Sequence, residues 1–182
     1  MNAAERKTIR HRDWIIALLV LIVLVFVGFR VYSRKRNFIA RYMTVQEADW
    51  YITSCKDYGI YFLTPIAIGH LETRWNSTKR GGHGETTVWQ LMPETKKYLE
   101  EATSHIKDKG ERTMAMGILH IGGCLRWAEW DYTEAVECYN LGIGKRRKDI
   151  RNSKYLEKYY IWLTKFEGEY RAYKFRFWEW LF

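Results

Sequence analysis

From Trp14 to Phe29 the chain carries no charged or strongly polar side chain, and Val31 and Tyr32 extend the apolar run past Arg30. About 16–19 residues of this kind lie at the short end of what crosses the hydrocarbon core of a bilayer as a helix. Arg30 and Arg34 lengthen the reach, because their stems lie along the helix while their guanidinium groups stay among the headgroups. The rest of the chain must therefore fold as a domain carried on a hydrophobic helix. A cleaved signal peptide is the competing reading. Its apolar part usually runs to about 7–15 residues, ahead of a small-residue cleavage site. Tyr32-Ser33-Arg34-Lys35-Arg36 follows here instead, so an uncleaved anchor is expected. The expected division is residues 1–13 before the span, 14–33 transmembrane, 34–41 a basic linker and 42–182 the domain.

Charge does not orient the span. Arg6, Lys7, Arg10 and Arg12 precede it, and Arg30, Arg34, Lys35, Arg36 and Arg41 follow it, whereas the positive-inside rule needs an asymmetry. The net charge of +9 is concentrated in the same region: residues 1–41 hold nine Lys/Arg against two acids. The remainder, 21 Lys/Arg against 19 Asp/Glu, is close to neutral. A basic balance ordinarily suggests a nucleic-acid partner. Here it belongs to the membrane flanks, which anionic headgroups attract, and no nucleic-acid partner is expected. Three cysteines, Cys55, Cys124 and Cys138, make no disulfide framework. One pair remains open in an oxidising compartment.

Two prolines and little alternation of apolar and polar residues argue for an all-α domain. Thr44 with Glu47 has capping-box spacing, ahead of a stripe of Val45, Ala48, Ile52 and Cys55. Pro65 suits a first helical turn, and Ile66, Ala67, Ile68 and Leu71 carry a buried helix to Glu72. Glycines 81, 82 and 84 interrupt the next stretch, and Pro93 opens another helix. Ala115, Ile118, Leu119, Gly122 and Leu125 form one face of a helix over residues 112–129, with Gly122 and Gly123 expected to admit a close neighbour. Asp131 starts the next helix, with Tyr132, Ala135, Val136 and Tyr139 on one face and Gly142-Ile143-Gly144 as its stop. Residues 112–144 also resemble one tetratricopeptide repeat. Such repeats bury their faces only in series, at a period of about 34 residues, and no second copy is present. The aromatic tail from Tyr170 to Phe182 has three open fates: a docked final helix, a membrane-interface segment, or a site for a protein partner.

Residues Ala67 to Pro93 read AIGHLETRWNSTKRGGHGETTVWQLMP. A glutamate ends an apolar helix, a small and polar loop follows, and a glutamine leads to a proline-started helix. This resembles the soluble lytic transglycosylase family, where "ES" precedes a glycine-rich loop and "GLMQLMP". Cys138-Tyr139-Asn140-Leu141-Gly142 is similar to the family's "AYNAG", and Arg151 to Tyr155 to its late "ETxxYV". The resemblance implies a lysozyme-like helical domain that cleaves the β-1,4 bond between N-acetylmuramic acid and N-acetylglucosamine in peptidoglycan. It implies no cofactor and no metal. The domain then faces the periplasm or wall, and residues 1–13 lie in the cytoplasm as the end of a single-pass inner-membrane anchor.

Breaking a glycosidic bond requires protonation of a poor leaving group as an oxocarbenium-like centre forms. A carboxylic acid does this near neutral pH when desolvation raises its pKa. The resemblance makes Glu72 that catalytic acid. Its conjugate base then takes the proton of the muramic C6 hydroxyl, which closes on C1 as a 1,6-anhydro sugar, so that one carboxylate suffices. Thr73, Gln90, Tyr139, Asn140 and Tyr155 are implied substrate-side residues, Tyr155 orienting the carboxylate. Trp89, which the family motif lacks, is either a sugar-stacking ring or part of the core. Thr87 replaces the family's glycine, which puts the loop's backbone path in question and leaves open a silent wall-binding or scaffold domain. Glu85 is a solvated loop carboxylate, or else the second acid of a lysozyme-type hydrolase. The five histidines lack the spacing of a helical metal site.

Overall fold

The computed structural model describes residues 3–76, 78–142 and 153–179, with side chains for 13–76, 78–142 and 154–173. Ile143, Gly144, Arg151 and Phe182, named above in expected segments, lie outside the described residues. The described chain is all-helical: α1 (Ala3–Ile39), α2 (Val45–Asp57), α3 (Leu63–Thr73), α4 (Pro93–Ala102), α5 (Lys109–Trp127), α6 (Tyr132–Leu141) and α7 (Ser153–Glu179).

Among the described residues α1 alone is long and apolar enough to cross a membrane, and no part of its apolar window is covered by the rest of the chain. The expected basic linker over 34–41 does not exist as a separate segment. The helix runs on to Ile39, and Phe38 and Ile39 are fully buried in the core. Phe38 meets Tyr42, Tyr170 and Tyr173 edge to face, at ring-centroid distances of 5.9, 5.3 and 6.3 Å. Burying one such side chain contributes roughly 1.5–3 kcal/mol. That gain outweighs any tendency of the flanking arginines to keep the segment in solvent. Polar contacts strengthen the junction: Tyr32 donates to Asp49 at 2.9 Å, and Arg41 pairs with Glu169 at 3.4 Å.

Local signals place the helix starts. The Thr44–Glu47 capping box is complete, with Glu47 N–H donating to Thr44 Oγ1 and Thr44 N–H to Glu47 Oε2. Asp108 and Asp131 cap α5 and α6 with their side chains alone, accepting from Glu111 N–H and Glu134 N–H, and Pro93 occupies the first turn of α4. The buried stripe of α2 is Ala48, Tyr51, Ile52 and Cys55. Val45, expected within it, stands 53% exposed, because the first helical position points away from the face that meets α5.

The close approach on α5 falls one turn earlier than expected. Gly122 has only ordinary contacts and Gly123 faces open space, whereas a Cβ on Gly117 would lie 2.1 Å from the indole of Trp89. In the tail, Tyr159 and Phe166 are buried and Tyr170 and Tyr173 pack on the core, so α7 is a docked final helix as far as Tyr173. All three cysteines are buried thiols outside any disulfide, and those of Cys124 and Cys138 interact across the α5–α6 contact.

Candidate active site

Helix α3 is almost wholly buried from Leu63 to Gly69 and ends at Thr73, where Arg74 and then Trp75 turn left-handed at φ 54° and 64°. Glu72 is its penultimate residue. A carboxylate at a helix C-terminus faces the negative end of the backbone dipole, and Glu72 is also largely withdrawn from water. Burial, the largest cause, raises its pKa above 4.5. Two groups oppose this: Tyr155 donates to Glu72 Oε1 at 2.5 Å, and the ammonium of Lys79, which donates to the Glu72 carbonyl at 2.6 Å, also favours the charged form. The result is a carboxyl group held by a phenol on one oxygen and disposed to keep its proton.

The loop after α3 is drawn back on itself by an antiparallel bridge between Thr86 and Leu91. Inside that turn Thr87 has φ 70° and Gln90 φ 47°. Thr87 thus takes the left-handed backbone that glycine adopts freely, which answers the question of the loop's path. A β-branched residue there is an outlier, at a cost on the order of 1–3 kcal/mol. Its hydroxyl recovers part of this by accepting from Trp89 N–H at 3.2 Å. Thr87→Gly is therefore expected to raise the stability by about 1 kcal/mol. A melting temperature unchanged or lowered in calorimetry would contradict that assignment of strain.

Thr73, expected on the substrate side, and Trp89, for which stacking ring and core were both open, are both buried. The Trp89 ring is fully buried, set edge-on to Trp75 at 5.3 Å, with its indole N–H donating to the Thr113 carbonyl at 2.8 Å. An apolar ring of this size gains more from burial than from an exposed cleft wall, so its place is core and not sugar stacking. Thr73 is 3% exposed, and its hydroxyl bonds the carbonyls of Gly69 and Val88. It ties helix to loop and has no free face for a ligand.

The remaining residues surround an open cleft of about 610 Å³, lined by Glu72, Glu85, Gln90, His120, Tyr139 and Asn140 among others. Gln90 is oriented by donating to the carbonyls of Lys79 and Thr87 at 3.3 and 3.1 Å. Tyr139, on α6, is spent on structure as much as on the cleft: its hydroxyl donates to the Trp89 carbonyl at 2.5 Å. Asn140 follows it, half-exposed, on the cleft side. Burial and then the Glu72 charge hold the phenols of Tyr139 and Tyr155 well above the ordinary range.

Glu85 faces the same space. Gly81 makes room for it, since a Cβ there would lie 2.2 Å from Glu85 Oε2. That oxygen accepts from His83 N–H at 2.8 Å. Backbone hydrogen bonds, first its own and then that of His83, hold its pKa below 4.5. Its charge contributes, as the smallest cause, to raising that of Glu72.

His120 is the lining residue that sequence reasoning missed. It stands one helical turn after Gly117, with its ring 5.0 Å from Tyr139, and burial lowers its pKa to about 4. In sequence a lone histidine on an apolar helix reads as core. The structure places it on the cleft wall, one turn past the Gly117 that packs on Trp89.

No family model and no curated protein matches the sequence. Among solved structures the chain is similar to an inactive mutant of lytic transglycosylase Slt from Pseudomonas aeruginosa, with a TM-score of 0.57 and 16% identity. The match covers 81% of this chain and 30% of that one. The fold is similar to that of a lytic transglycosylase. At this identity the likeness is one of backbone architecture, and the chemistry must be argued from the side chains of this chain.

Proposed function

We propose that the protein is a membrane-anchored peptidoglycan lytic transglycosylase. It cleaves the β-1,4 bond between N-acetylmuramic acid and N-acetylglucosamine and leaves a 1,6-anhydromuramic end. The observation that carries this reading is Glu72, a carboxyl of raised pKa, held by Tyr155 on the wall of an open cleft. Protonated, it serves as general acid to the departing oxygen; ionised by that transfer, it serves as base to the C6 hydroxyl. Gln90, Asn140 and His120 present polar groups to the glycan. Helix α1 anchors the domain in the inner membrane over residues 14–33, with residues 1–13 in the cytoplasm and the cleft on the wall side. Local opening of the wall for an envelope-spanning machine or a phage suits an enzyme of this size.

A second reading rests on Glu85. An ionised carboxylate across the cleft from a protonated one is the arrangement of a two-carboxylate hydrolase. Incubating the protein with purified sacculi and identifying the products by mass spectrometry separates the two. Anhydromuropeptides are expected, and reducing-end muropeptides would establish hydrolysis. No release at all would leave a wall-binding or scaffold domain. Glu85→Gln is expected to keep activity within a few-fold; a loss comparable to that from removing Glu72 would give Glu85 the second catalytic role.

The pH profile tests the Tyr155 contact. A hydrogen bond to the charged form lowers a carboxyl pKa, so Tyr155→Phe is expected to raise that of Glu72. The acid form then persists to higher pH, and the alkaline limb of kcat moves upward. Lost orientation lowers kcat itself, by up to about 10²-fold. A limb that stays in place or moves down would show that the phenol does not bond the reacting carboxylate.

A further inference from the structure

At the junction of α1 with the domain lies a second cavity, about 370 Å³, whose lining includes Gly28, Val31, Lys35, Lys56, Tyr61 and Phe62. Its lining runs from the apolar face of the span, where Gly28 leaves the helix surface open, to Lys35 near the end of α1 and Lys56 near the end of α2. Two acids near this junction, Asp49 and Glu167, already have partners of their own, and Asp57 follows Lys56 in the chain. Asp49 is taken by Tyr32 and Arg36, and Glu167 by Tyr61 and Arg171. Lys35 lies over the Phe62 ring at 5.0 Å. Among the described residues neither Lys35 nor Lys56 has an ion pair. Tyr61 stands 40% exposed beside them, an aromatic of the type that settles at headgroup depth.

We infer that this cavity is a binding site for one anionic phospholipid, its phosphate between Lys35 and Lys56 and an acyl chain along Gly28 and Val31. The inference rests on the proposal that α1 spans the membrane. A site apolar at one end and doubly cationic at the other, with the apolar end continuous with a bilayer-facing helix, matches a lipid and not a soluble anion. Its consequence is positional. Phe62, at the start of α3, abuts this cavity, while Trp75, just past its end, packs near Tyr42 beyond the end of α1. Helix α3 therefore runs away from the membrane and carries Glu72 to its far end, about 15 Å higher at 1.5 Å per residue. A lipid held at the base fixes the height and tilt at which the cleft meets glycan.

The test uses the full chain purified in detergent, incubated with dioctanoyl phosphatidylglycerol, dioctanoyl phosphatidylcholine or inorganic phosphate, and read by native mass spectrometry and thermal shift. One retained phosphatidylglycerol per chain is expected, at least tenfold over phosphatidylcholine. Retention should disappear when Lys35→Gln and Lys56→Gln are combined, and persist when Lys97→Gln and Lys107→Gln, outside the cavity, are combined. Equal retention of the two lipids, or retention unaffected by the Lys35/Lys56 pair, overturns the inference. An equal thermal shift with inorganic phosphate also overturns it, showing a simple anion site. Flotation of the same preparation with vesicles tests the anchor separately. A chain that fails to float removes the membrane reading itself, whereas one that floats without headgroup preference removes only the lipid site.

Discussion

Glu72→Gln is expected to abolish release of muropeptides from sacculi, by at least about 10²-fold, while the fold is retained. The amide keeps the size of the carboxyl group and can still meet the Tyr155 hydroxyl, but it cannot donate a proton and take one back, and loss of general acid catalysis alone costs about 10²–10⁴-fold. The stability arm has a definite sign. The folded-state pKa of Glu72 is raised above 4.5 by burial. Its protonated form is thus favoured in the folded state, and the associated stability is present at low pH and lost as pH rises through the folded value. Glutamine is neutral throughout, so the variant should be at least as stable as the parent near neutral pH, and its melting temperature should be less sensitive to pH in the acid range. Activity within a few-fold of the parent would remove Glu72 from the mechanism. A variant that is inactive and also poorly folded would leave the role unproved, which is why the melt accompanies the assay.

Trp89→Ala is expected to cost about 3–5 kcal/mol, the usual range for deleting a fully buried indole. The ring fills the space above Gly117, bonds the Thr113 carbonyl and stacks edge-on against Trp75. Its own carbonyl receives the Tyr139 hydroxyl. The loop before α4 is thereby fastened to α5 by the Trp89 ring and to α6 by the Trp89 carbonyl, and loss of the ring should loosen Gln90 and Glu85 together. Chemical denaturation with parallel assay on sacculi checks this: a large fall in stability with kcat and KM both impaired is expected. Unchanged stability with only a weaker KM for glycan would put the ring in the cleft as a stacking platform, against its burial here. Gly117→Ala probes the same contact from the other side and should also destabilise, because the added methyl meets a rigid ring and not the tip of a flexible chain.

Much of the architecture is legible without coordinates because its signals are local. The apolar run of α1, the Thr44–Glu47 box, the aspartate cap of α6 and the proline at the start of α4 each depend on residues within a turn or two of one another. The motif around Glu72 is legible for the same reason: a carboxylate at the end of an apolar helix and a glutamine beyond a glycine-rich loop are adjacent in the chain. Tyr155 is different. It stands 83 residues from Glu72, among neighbours Tyr159 and Tyr160 of the same type. Family resemblance nominated it, and the docking of α7 on α3 brings its hydroxyl to the carboxyl group.

Sequence alone determined the helical class, the long apolar N-terminal helix and the candidate acid, since periodicity, caps and a short motif need no partner in space. Tertiary structure alone decided which polar and aromatic residues face the cleft. Thr73 and Trp89 lie beside Glu72 and Gln90 in the chain, yet both are turned into the core, Thr73 bonded to the Gly69 and Val88 carbonyls and Trp89 packed against Gly117. His120 faces the cleft from α5, one turn past the Gly117 on which the Trp89 ring packs. Residues 34–39 continue the helix because Phe38 finds a buried aromatic pocket built from Tyr42 and the distant Tyr170 and Tyr173. Such placements depend on volume and burial across long sequence separations, quantities that no local pattern of residues encodes.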